Sequence, residues 1–275
     1  MRYWLVMPAA GVGRRFGSAM PKQYASLQGR TVIEWALAPF LADPSCAGVS
    51  VSLAADDPYW GAIAARLAKR PGRTPEIIFA GGGTERSHSV RKGLEALADR
   101  ATADDWVLVH DAARPCLSPE DLQHLLERLG SHRVGGILAT PAADTLKRAT
   151  VVTPPSGAPA ALGIRAAASG THTEPAARAA PADPSIDQTV DRAGLWRALT
   201  PQMFRYKMLC DALDGAFASS RLPTDEAQAL EWTGEHPVLV QGSAANIKIT
   251  SADDLVLAAA LLNAREAGVV SREPG

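Results

Sequence analysis

Short apolar runs alternate along the first half of the chain with longer segments whose apolar residues recur at helical spacing. The helical segments cover residues 31–42, 57–69, 86–99 and 118–130. Continuous apolar strands separated by helices are typical of a parallel sheet that is covered on both faces. We therefore predict an α/β fold with a doubly wound, mostly parallel sheet. The strand-like runs are "YWLVMP" (3–8), "GVSVSL" (48–53), "EIIFA" (76–80), "WVLVH" (106–110) and "GGILATP" (135–141).

The alternation stops after residue 143, where "DTLKR" (144–148) is followed by a segment of different composition. Residues 151–185 contain 11 Ala and 6 Pro among 35 residues. A segment with so few bulky apolar side chains cannot offset the entropy lost on ordering, so we expect a flexible insertion.

Regular patterns resume after this insertion. We predict helices over 205–220, 224–234 and 251–268, and Ser251 with Asp254 three residues later is a plausible capping pair for the last of them. The expected strands are "IDQTVDR" (186–192), "HPVLVQG" (236–242) and "ANIKIT" (245–250).

Composition narrows the class of protein. The 275 residues carry a formal net charge of −1 and are 47% hydrophobic, so no basic excess points to nucleic acid or to an anionic membrane surface. The three cysteines, Cys46, Cys116 and Cys210, have no CxxC spacing, which argues against both a disulfide framework and a zinc knuckle. The N-terminal apolar run is interrupted by Pro8 and favours a buried strand over a signal peptide. We expect a soluble, cytoplasmic protein with no nucleic-acid or membrane partner.

The first loop, "PAAGVGRRFGSAMPKQ" (8–23), has the glycine punctuation of a nucleotide-binding turn. Gly11, Gly13 and Gly17 follow a predicted strand, but three residues separate the last two glycines where a dinucleotide fingerprint has two. The acidic residue that would bind the ribose of NAD is also missing from the end of the second strand. Both observations disfavour an NAD-dependent oxidoreductase.

Charge around this loop is more informative than its glycines. No Asp or Glu precedes Glu34, whereas five cations do, and these are Arg2, Arg14, Arg15, Lys22 and Arg30. Exposed backbone N–H groups in a glycine-rich turn bind anions, and Arg and Lys at the rim suit a triphosphate. A solvated basic surface is the alternative, although these cations are interleaved with Gly and Pro rather than set along a helix face.

The loop resembles the signature of the cytidylyltransferases that act on 2-C-methyl-D-erythritol 4-phosphate, within the nucleotide-sugar pyrophosphorylase-like nucleotidyltransferases. The resemblance spans nearly the whole chain except 151–185. It implies a Rossmann-like nucleotidyltransferase core over 1–143 and 193–275 and a projecting β-arm over 144–192. Further motifs similar to that family follow in the same order, namely "GGGTERSHSV" (81–90), "VLVHDAARP" (107–115), "DTLKR" (144–148), "TVDRAGLWRALTPQ" (189–202), "TDEA" (224–227) and "NIKIT" (246–250).

The reaction implied by this resemblance is attack of the sugar-alcohol phosphate on the α-phosphorus of CTP. The products are 4-diphosphocytidyl-2-C-methyl-D-erythritol and pyrophosphate, in non-mevalonate isoprenoid precursor synthesis. The nucleophile is already an anion, so positioning and charge stabilisation suffice and no activating base is required. Accordingly, we interpret His110, inside an apolar run, as a packed residue. Mg²⁺, or another divalent cation in its place, is expected to be carried mainly by the triphosphate, with no direct protein ligand.

Residue roles follow from the same resemblance. The implied catalytic residues are Arg15 and Lys22, on the CTP phosphates, and Arg192 and Lys248, on the incoming phosphate. The implied nucleotide-binding residues are Ala9, Ala10, Gly11, Gly13, Gly83, Thr84 and Ser89, with cytosine read largely by backbone groups. The implied substrate-binding residues are Asp111, Ala112, Arg114, Thr145, Thr200 and Asp225.

Several of these residues also have a purely structural interpretation. "GGG" (81–83) forms a tight turn in either case, and Thr84 stands where some members of the family carry an acid. Asp111 follows a strand, where it could serve as a turn or cap residue. Asp225 lies at a helix start, where an acid favours the helix dipole without any function. Lys248 in a short apolar run is either an edge residue or a functional one.

The family's β-arm exchanges with a second subunit, so the resemblance implies a homodimer, and either the same subunit or its partner supplies Thr145, Arg114 and Arg192 to a given site. The insertion would lie at the tip of the arm, where a loop lengthens at little entropic cost. Two alternative functions stay open. One is a ribitol-5-phosphate cytidylyltransferase, and the other is a non-catalytic nucleotide-binding module with the same fold.

Overall fold

The structure is a computed structural model that describes residues 1–11, 20–72, 74–150 and 183–268. The chain divides into two compact units. The first combines Met1–Thr140 with Trp196–Gly275, and the second is Pro141–Leu195.

Eleven strands are present in the described residues. In chain order they are β1 (Tyr3–Pro8), β2 (Ser26–Leu27), β3 (Arg30–Thr31), β4 (Cys46–Leu53), β5 (Glu76–Gly81), β6 (Trp106–Val109), β7 (Gly135–Pro141), β8 (Leu146–Ala149), β9 (Ile186–Val190), β10 (Trp196–Arg205) and β11 (Val238–Gln241). Seven of them form the central sheet, in the order β11-β7-β10-β6-β1-β4-β5. Strands β6, β1, β4 and β5 run parallel to one another, as do β11 and β7, whereas β10 is antiparallel to β6. The predicted doubly wound, mostly parallel sheet is confirmed.

Helices cover the sheet because both of its faces are apolar. Along β1, Tyr3 and Leu5 belong to one buried cluster and Trp4 and Val6 to another, as the alternation of side chains in a strand requires. The predicted capping pair is confirmed, since Ser251 and Asp254 form a capping box. The helices are α1 (Val32–Ala42), α2 (Trp60–Leu67), α3 (Arg86–Glu95), α4 (Pro119–Leu129), α5 (Tyr206–Ala218), α6 (Glu226–Glu231) and α7 (Ala252–Glu266), with a short 3₁₀ helix at Lys22–Tyr24.

Besides the short strands β2 and β3, two elements differ from the sequence prediction. Strand β10 was not predicted, because its first three residues are exposed and its pairing with β6 and β7, which lie far away in sequence, is what makes it a strand. The predicted strand at 245–250 is wrong. This segment is irregular, and its backbone bonds go to a loop instead of a strand ladder, since Ile249 N–H donates to the Ala113 carbonyl at 2.8 Å.

The second unit contains the antiparallel pair β8 and β9, in which Leu146 faces Val190 and Lys147 faces Thr189. The expected arm at 144–192 falls within this unit, and its role stays a prediction. Most of the expected insertion, 151–182, lies outside the described residues. None of the described helices has both the length and the apolar character needed to cross a membrane.

Candidate active site

A cleft opens where the carboxyl ends of the central parallel strands meet. Strand β1 leads into Ala9–Gly11, β5 into the glycines before α3, and β6 into residues 110–114. The carboxyl edge is where open α/β sheets bind ligands. The cleft has a volume of about 480 Å³ and is lined by Pro8, Ala9, Ala10, Gly11, Lys22, Gln23, Gly83, Thr84, Glu85, Arg86, Ser89, Asp111, Ala112, Ala113 and Lys248.

Asp111 is the charged centre of the cleft. It is 6% exposed, and its Oδ1 accepts from Arg86 Nε at 2.9 Å while its Oδ2 lies 2.9 Å from Lys248 Nζ. Arg114 Nε is 3.6 Å from the same Oδ2. Burial by itself would raise the pKa of Asp111, but the three cations outweigh it and hold that pKa well below its ordinary value. Asp111 is therefore an ionised carboxylate at any physiological pH.

Arg86 connects Asp111 to a second buried acid. Its Nη1 and Nη2 donate to Glu226 Oε1 and Oε2 at 2.6 and 3.1 Å. Glu226 is fully buried, and its burial raises the carboxyl pKa even though Arg86 opposes the rise. The two carboxylates together raise the pKa of the Arg86 guanidinium above its usual value. One Arg therefore bridges two carboxylates from distant parts of the sequence.

The loop that carries Asp111 is fixed from behind by His110 and Thr200. Thr200 Oγ1 accepts from Asp111 N–H at 3.1 Å and lies 2.9 Å from His110 Nδ1, so the hydroxyl donates to the ring. The other ring nitrogen, Nε2, then donates to the Arg114 carbonyl at 3.1 Å. Complete burial lowers the pKa of His110 to about 4, which keeps the imidazole neutral. His110 is packed, as predicted, and has a neutral structural role here.

Lys22 and Lys248 both line the cleft, and both are held there by the irregular segment 245–250. Lys22 Nζ, at the start of the 3₁₀ helix, donates to the Ile249 carbonyl at 2.7 Å. Lys248 comes from the segment itself and is 40% exposed at its side chain. Arg114 Nη1 ties the segment to the loop after β6 by donating to the Asn246 carbonyl at 2.7 Å. Tertiary bonds, not a strand ladder, hold both lysines at the cleft.

The loops after β1 and β5 contribute mainly backbone groups to the cleft. Gly83 N–H donates to Ser89 Oγ at 3.0 Å, and Ser89 Oγ donates to the Glu85 carbonyl at 3.2 Å. Both Ala9 backbone groups have protein partners, since its N–H donates to the Ser52 carbonyl and its carbonyl accepts from Gln23. A side chain at Gly82 would meet Ala10 Cβ at 2.1 Å, so only glycine allows these two loops to approach so closely.

Apart from Asp225, the sequence-predicted site residues divide into four groups. Nine of the described ones line the cleft together with Gly11. Arg114 and Thr200 are buried behind Asp111. Thr145 and Arg192 lie in the second unit, where Arg192 donates to the Ala143 carbonyl. Gly13 and Arg15 lie outside the described residues. The cleft-lining group is Ala9, Ala10, Lys22, Gly83, Thr84, Ser89, Asp111, Ala112 and Lys248, of which Ala112 is almost fully buried.

Asp225 is placed differently from its neighbour Glu226. It caps α6 by accepting from Gln228 N–H at 3.0 Å, and its second oxygen accepts from Gln202 Nε2 at 2.9 Å. Among the described residues, the acid that α6 supplies to the Asp111 cluster is therefore Glu226. A substrate-binding role for Asp225 stays a prediction.

Sequence reasoning missed Arg86 and Glu226, although both lie inside motifs that it quoted, "GGGTERSHSV" and "TDEA". One signal was available. Arg86 is the first residue of α3, and a cation is unfavourable at a helix N-terminus unless an acid is close to it.

A metal cage is absent from the described residues, where no three His, Cys, Asp or Glu side chains converge. The buried carboxylate of the cleft, Asp111, is already matched by cations. These residues fit a Mg²⁺ ion that arrives on a phosphate chain better than one held by the protein, because Mg²⁺ keeps most of its waters and needs few carboxylates.

Comparison with known proteins agrees with this geometry. Residues 3–156 and 160–264 match the sequence profile of the 2-C-methyl-D-erythritol 4-phosphate cytidylyltransferase (IspD) family. The 2-C-methyl-D-erythritol 4-phosphate cytidylyltransferase of Halorhodospira halophila is 45% identical over 269 residues, which is 97% of this chain and 96% of that protein. The protein of the same name from Vibrio vulnificus strain CMCP6 is 44% identical over 92% of this chain and 91% of its own length.

Solved structures give the same result. A crystal structure of 4-diphosphocytidyl-2C-methyl-D-erythritol synthase superposes with a TM-score of 0.71 at 32% identity, covering 95% of this chain and all of that one. The 2-C-methyl-D-erythritol 4-phosphate cytidylyltransferase of Francisella tularensis superposes with a TM-score of 0.68 at 30% identity and the same coverage. The chain belongs to the 2-C-methyl-D-erythritol 4-phosphate cytidylyltransferase family and is a CTP-dependent nucleotidyltransferase.

Proposed function

We propose that this chain joins CTP and 2-C-methyl-D-erythritol 4-phosphate to give 4-diphosphocytidyl-2-C-methyl-D-erythritol and pyrophosphate, with the following division of labour. The observation that carries the proposal is one cleft at the carboxyl edge of the sheet, where Lys22 lines the same space as the ionised Asp111 and its partners Arg86 and Lys248. Several cations that line one cleft suit two anionic reactants that must meet at one phosphorus atom.

Proton transfer is not required of the protein. The phosphate nucleophile is an anion at neutral pH, and the histidine next to Asp111 is buried, hydrogen-bonded at both nitrogens and neutral. A base is therefore neither needed nor supplied at that position. What remains for the chain is to hold the reactants in line and to stabilise charge on the α-phosphorus.

Lys22, together with Arg15, is assigned to the triphosphate. Lys22 stands beside the loop after β1, and one ammonium about 4 Å from a phosphate charge is worth about 4 kcal/mol at an effective dielectric near 20, before desolvation. Losing such a group is enough to lower the rate greatly.

Lys248, together with Arg192, is assigned to the incoming phosphate, and Asp111 to the hydroxyl groups of the same substrate. Support comes from the position of Lys248, which shares an oxygen of Asp111 with Arg114 while keeping 40% of its side chain exposed. An ammonium held this way can exchange one anionic partner for another without crossing the cleft.

Magnesium is proposed to enter on the triphosphate, where it would neutralise charge and orient the leaving pyrophosphate. The chain's own part is to leave room for that ion beside the triphosphate. The cleft supports this assignment because Asp111, its buried carboxylate, is engaged by Arg86 and Lys248.

A homodimer through the second unit is proposed as well. Leu146, Ile186 and Leu195 are 36, 66 and 39% exposed there, and apolar side chains in a small two-stranded unit are expected to be covered by a partner. We place the enzyme in the cytoplasm, consistent with three cysteines that form no disulfide.

The test is product formation from CTP, Mg²⁺ and 2-C-methyl-D-erythritol 4-phosphate, followed by pyrophosphate release and by mass spectrometry of the cytidine product. Both products should accumulate in equal amounts. A ribitol-5-phosphate cytidylyltransferase would release pyrophosphate only with ribitol 5-phosphate, and a non-catalytic module would bind CTP and release none.

A further inference from the structure

Glu226 shares the Arg86 guanidinium with Asp111, and unlike Asp111 it has no place in the proposed reaction. Glu226 occupies both terminal nitrogens of Arg86, at 2.6 and 3.1 Å, and so leaves only the Nε edge of the guanidinium for Asp111 Oδ1, at 2.9 Å. A guanidinium is planar and its donors form a rigid fork. Fixing one edge of the plane therefore fixes where the other edge points.

Burial of the Glu226 carboxylate is unfavourable for the stability of the fold. Glu226 is fully buried, and a carboxylate taken out of water is destabilising by several kcal/mol unless a cation and hydrogen bonds compensate. An apolar side chain would fill the same space without that cost. Arg86 is costly too, because it begins α3 and a cation opposes the dipole at a helix N-terminus.

Both costs are explained if the Arg86–Glu226 pair serves to orient another group. Arg86 lines the cleft and touches Asp111, whereas Glu226 belongs to the buried start of α6 and does not line the cleft. We infer that Glu226 is a positioning residue for the transfer reaction, which locks the Arg86 guanidinium so that it holds Asp111 in its orientation toward the sugar-alcohol phosphate. The inference rests on the proposed function for its substrate, but its structural part can be tested without activity.

Glu226→Gln is the sharpest variant, because it keeps the size of the side chain and removes one acceptor. The new amide group turns a donor toward the Arg86 donors, so Arg86 should leave its present orientation and Asp111 should lose its fixed partner. We expect the KM for 2-C-methyl-D-erythritol 4-phosphate to rise about tenfold while the KM for CTP stays within about twofold. Glu231→Gln, the same chemical change at the exposed end of α6, is the matched control and should alter neither value.

A double-mutant cycle separates positioning from mere stabilisation of the fold. If Glu226 acts through Arg86 on Asp111, Glu226→Gln should cost no more than about twofold further in kcat/KM once Asp111→Asn is in place. Additive losses would mean that Glu226 acts independently of Asp111 and would overturn the inference. So would equal changes in both KM values.

Arginine side-chain NMR gives the readout that does not depend on activity. The Arg86 Nε–H signal, assigned by its disappearance in Arg86→Lys, should exchange slowly with solvent in the parent protein and at least about tenfold faster in Glu226→Gln. Unchanged exchange refutes the positioning role even if the parent protein shows no transferase activity, in which case the proposed function fails on separate grounds. If Glu226→Gln does not fold, Arg86→Lys replaces it in the kinetic assay. A lysine cannot hold both carboxylates in the fork geometry, so it should give the same selective rise in KM, and a normal KM would contradict the inference.

Discussion

Lys22 Nζ donates to the Ile249 carbonyl at 2.7 Å, which places the ammonium at the cleft next to the residue that follows Lys248. Two lysines from opposite ends of the chain thus meet around one irregular segment. This arrangement fits the proposed reaction, in which Lys22 binds the triphosphate of CTP and Lys248 binds the incoming phosphate.

The first prediction concerns Lys22 itself. Lys22→Ala should lower kcat by at least about 100-fold, the scale of losing one preorganised donor to a transition-state charge. Steady-state pyrophosphate release measures it. Lys69→Ala, an exposed lysine after α2, is the control and should leave kcat unchanged. Near-normal turnover of Lys22→Ala would remove Lys22 from the mechanism.

Arg192 provides a test of how the two substrates are divided between cations. Arg192→Ala should raise the KM for 2-C-methyl-D-erythritol 4-phosphate much more than the KM for CTP, because its assigned partner is the incoming phosphate. Initial rates with each substrate varied in turn decide the matter. Arg148→Ala, on the exposed strand β8, should leave both KM values alone. A larger effect on CTP would reverse the assignment.

The burial of His110 predicts how stability depends on pH. Its pKa in the folded protein is about 4, against 6.5 for an ordinary histidine. Between these two pH values the unfolded chain therefore binds a proton that the folded chain does not bind. Stability is therefore full above pH 6.5 and falls as the pH drops from 6.5 to 4, by about 3 kcal/mol over the whole window at 1.36 kcal/mol per pH unit.

Urea unfolding of the parent and of His110→Gln at several pH values isolates this contribution. Glutamine keeps a donor and an acceptor but does not titrate, so the variant should be less stable at pH 7 and should lose less stability on acidification. A constant difference between the two proteins from pH 7 to pH 4 would show that His110 does not take part.

Removal of the Ala- and Pro-rich insertion tests the domain assignment. Replacing 151–185 with a short Gly/Ser turn should preserve both dimerisation and activity, because the antiparallel pairing of β8 and β9 is formed by residues on either side of it. Light scattering and the pyrophosphate assay measure the two properties. Loss of either would require the arm to be reassigned.

Local pattern was enough to predict most of the sheet. Strands β1, β4 and β6 are largely apolar because helices bury both faces of the sheet there, and that composition is visible in the sequence. Strand β10 was invisible because its residues 196–198 are exposed and Pro201 interrupts it, and its identity depends on a partner strand far away in sequence. The prediction for 245–250 was wrong for the opposite reason. Its apolar residues predicted a strand, but their side chains pack without a neighbouring strand.

In the cleft, too, local motifs predicted some residues, whereas others depend on tertiary neighbours that the sequence does not show. Lys22, Asp111 and Lys248 were reached through motifs, and the structure brings them together. The choice between Asp225 and Glu226 could not be made from sequence, because adjacent residues at the start of a helix point to different neighbours. Only the fold shows that Asp225 faces Gln202 and Glu226 faces Arg86.

The most direct test of the account is a competition in which CTP and Mg²⁺ are supplied with equal concentrations of 2-C-methyl-D-erythritol 4-phosphate and ribitol 5-phosphate. The ratio of the two cytidine products equals the ratio of kcat/KM for the two substrates. We predict that 4-diphosphocytidyl-2-C-methyl-D-erythritol exceeds the ribitol product by about 100-fold or more, with pyrophosphate equal to their sum. A mixture dominated by the ribitol product, or CTP left intact, would contradict it.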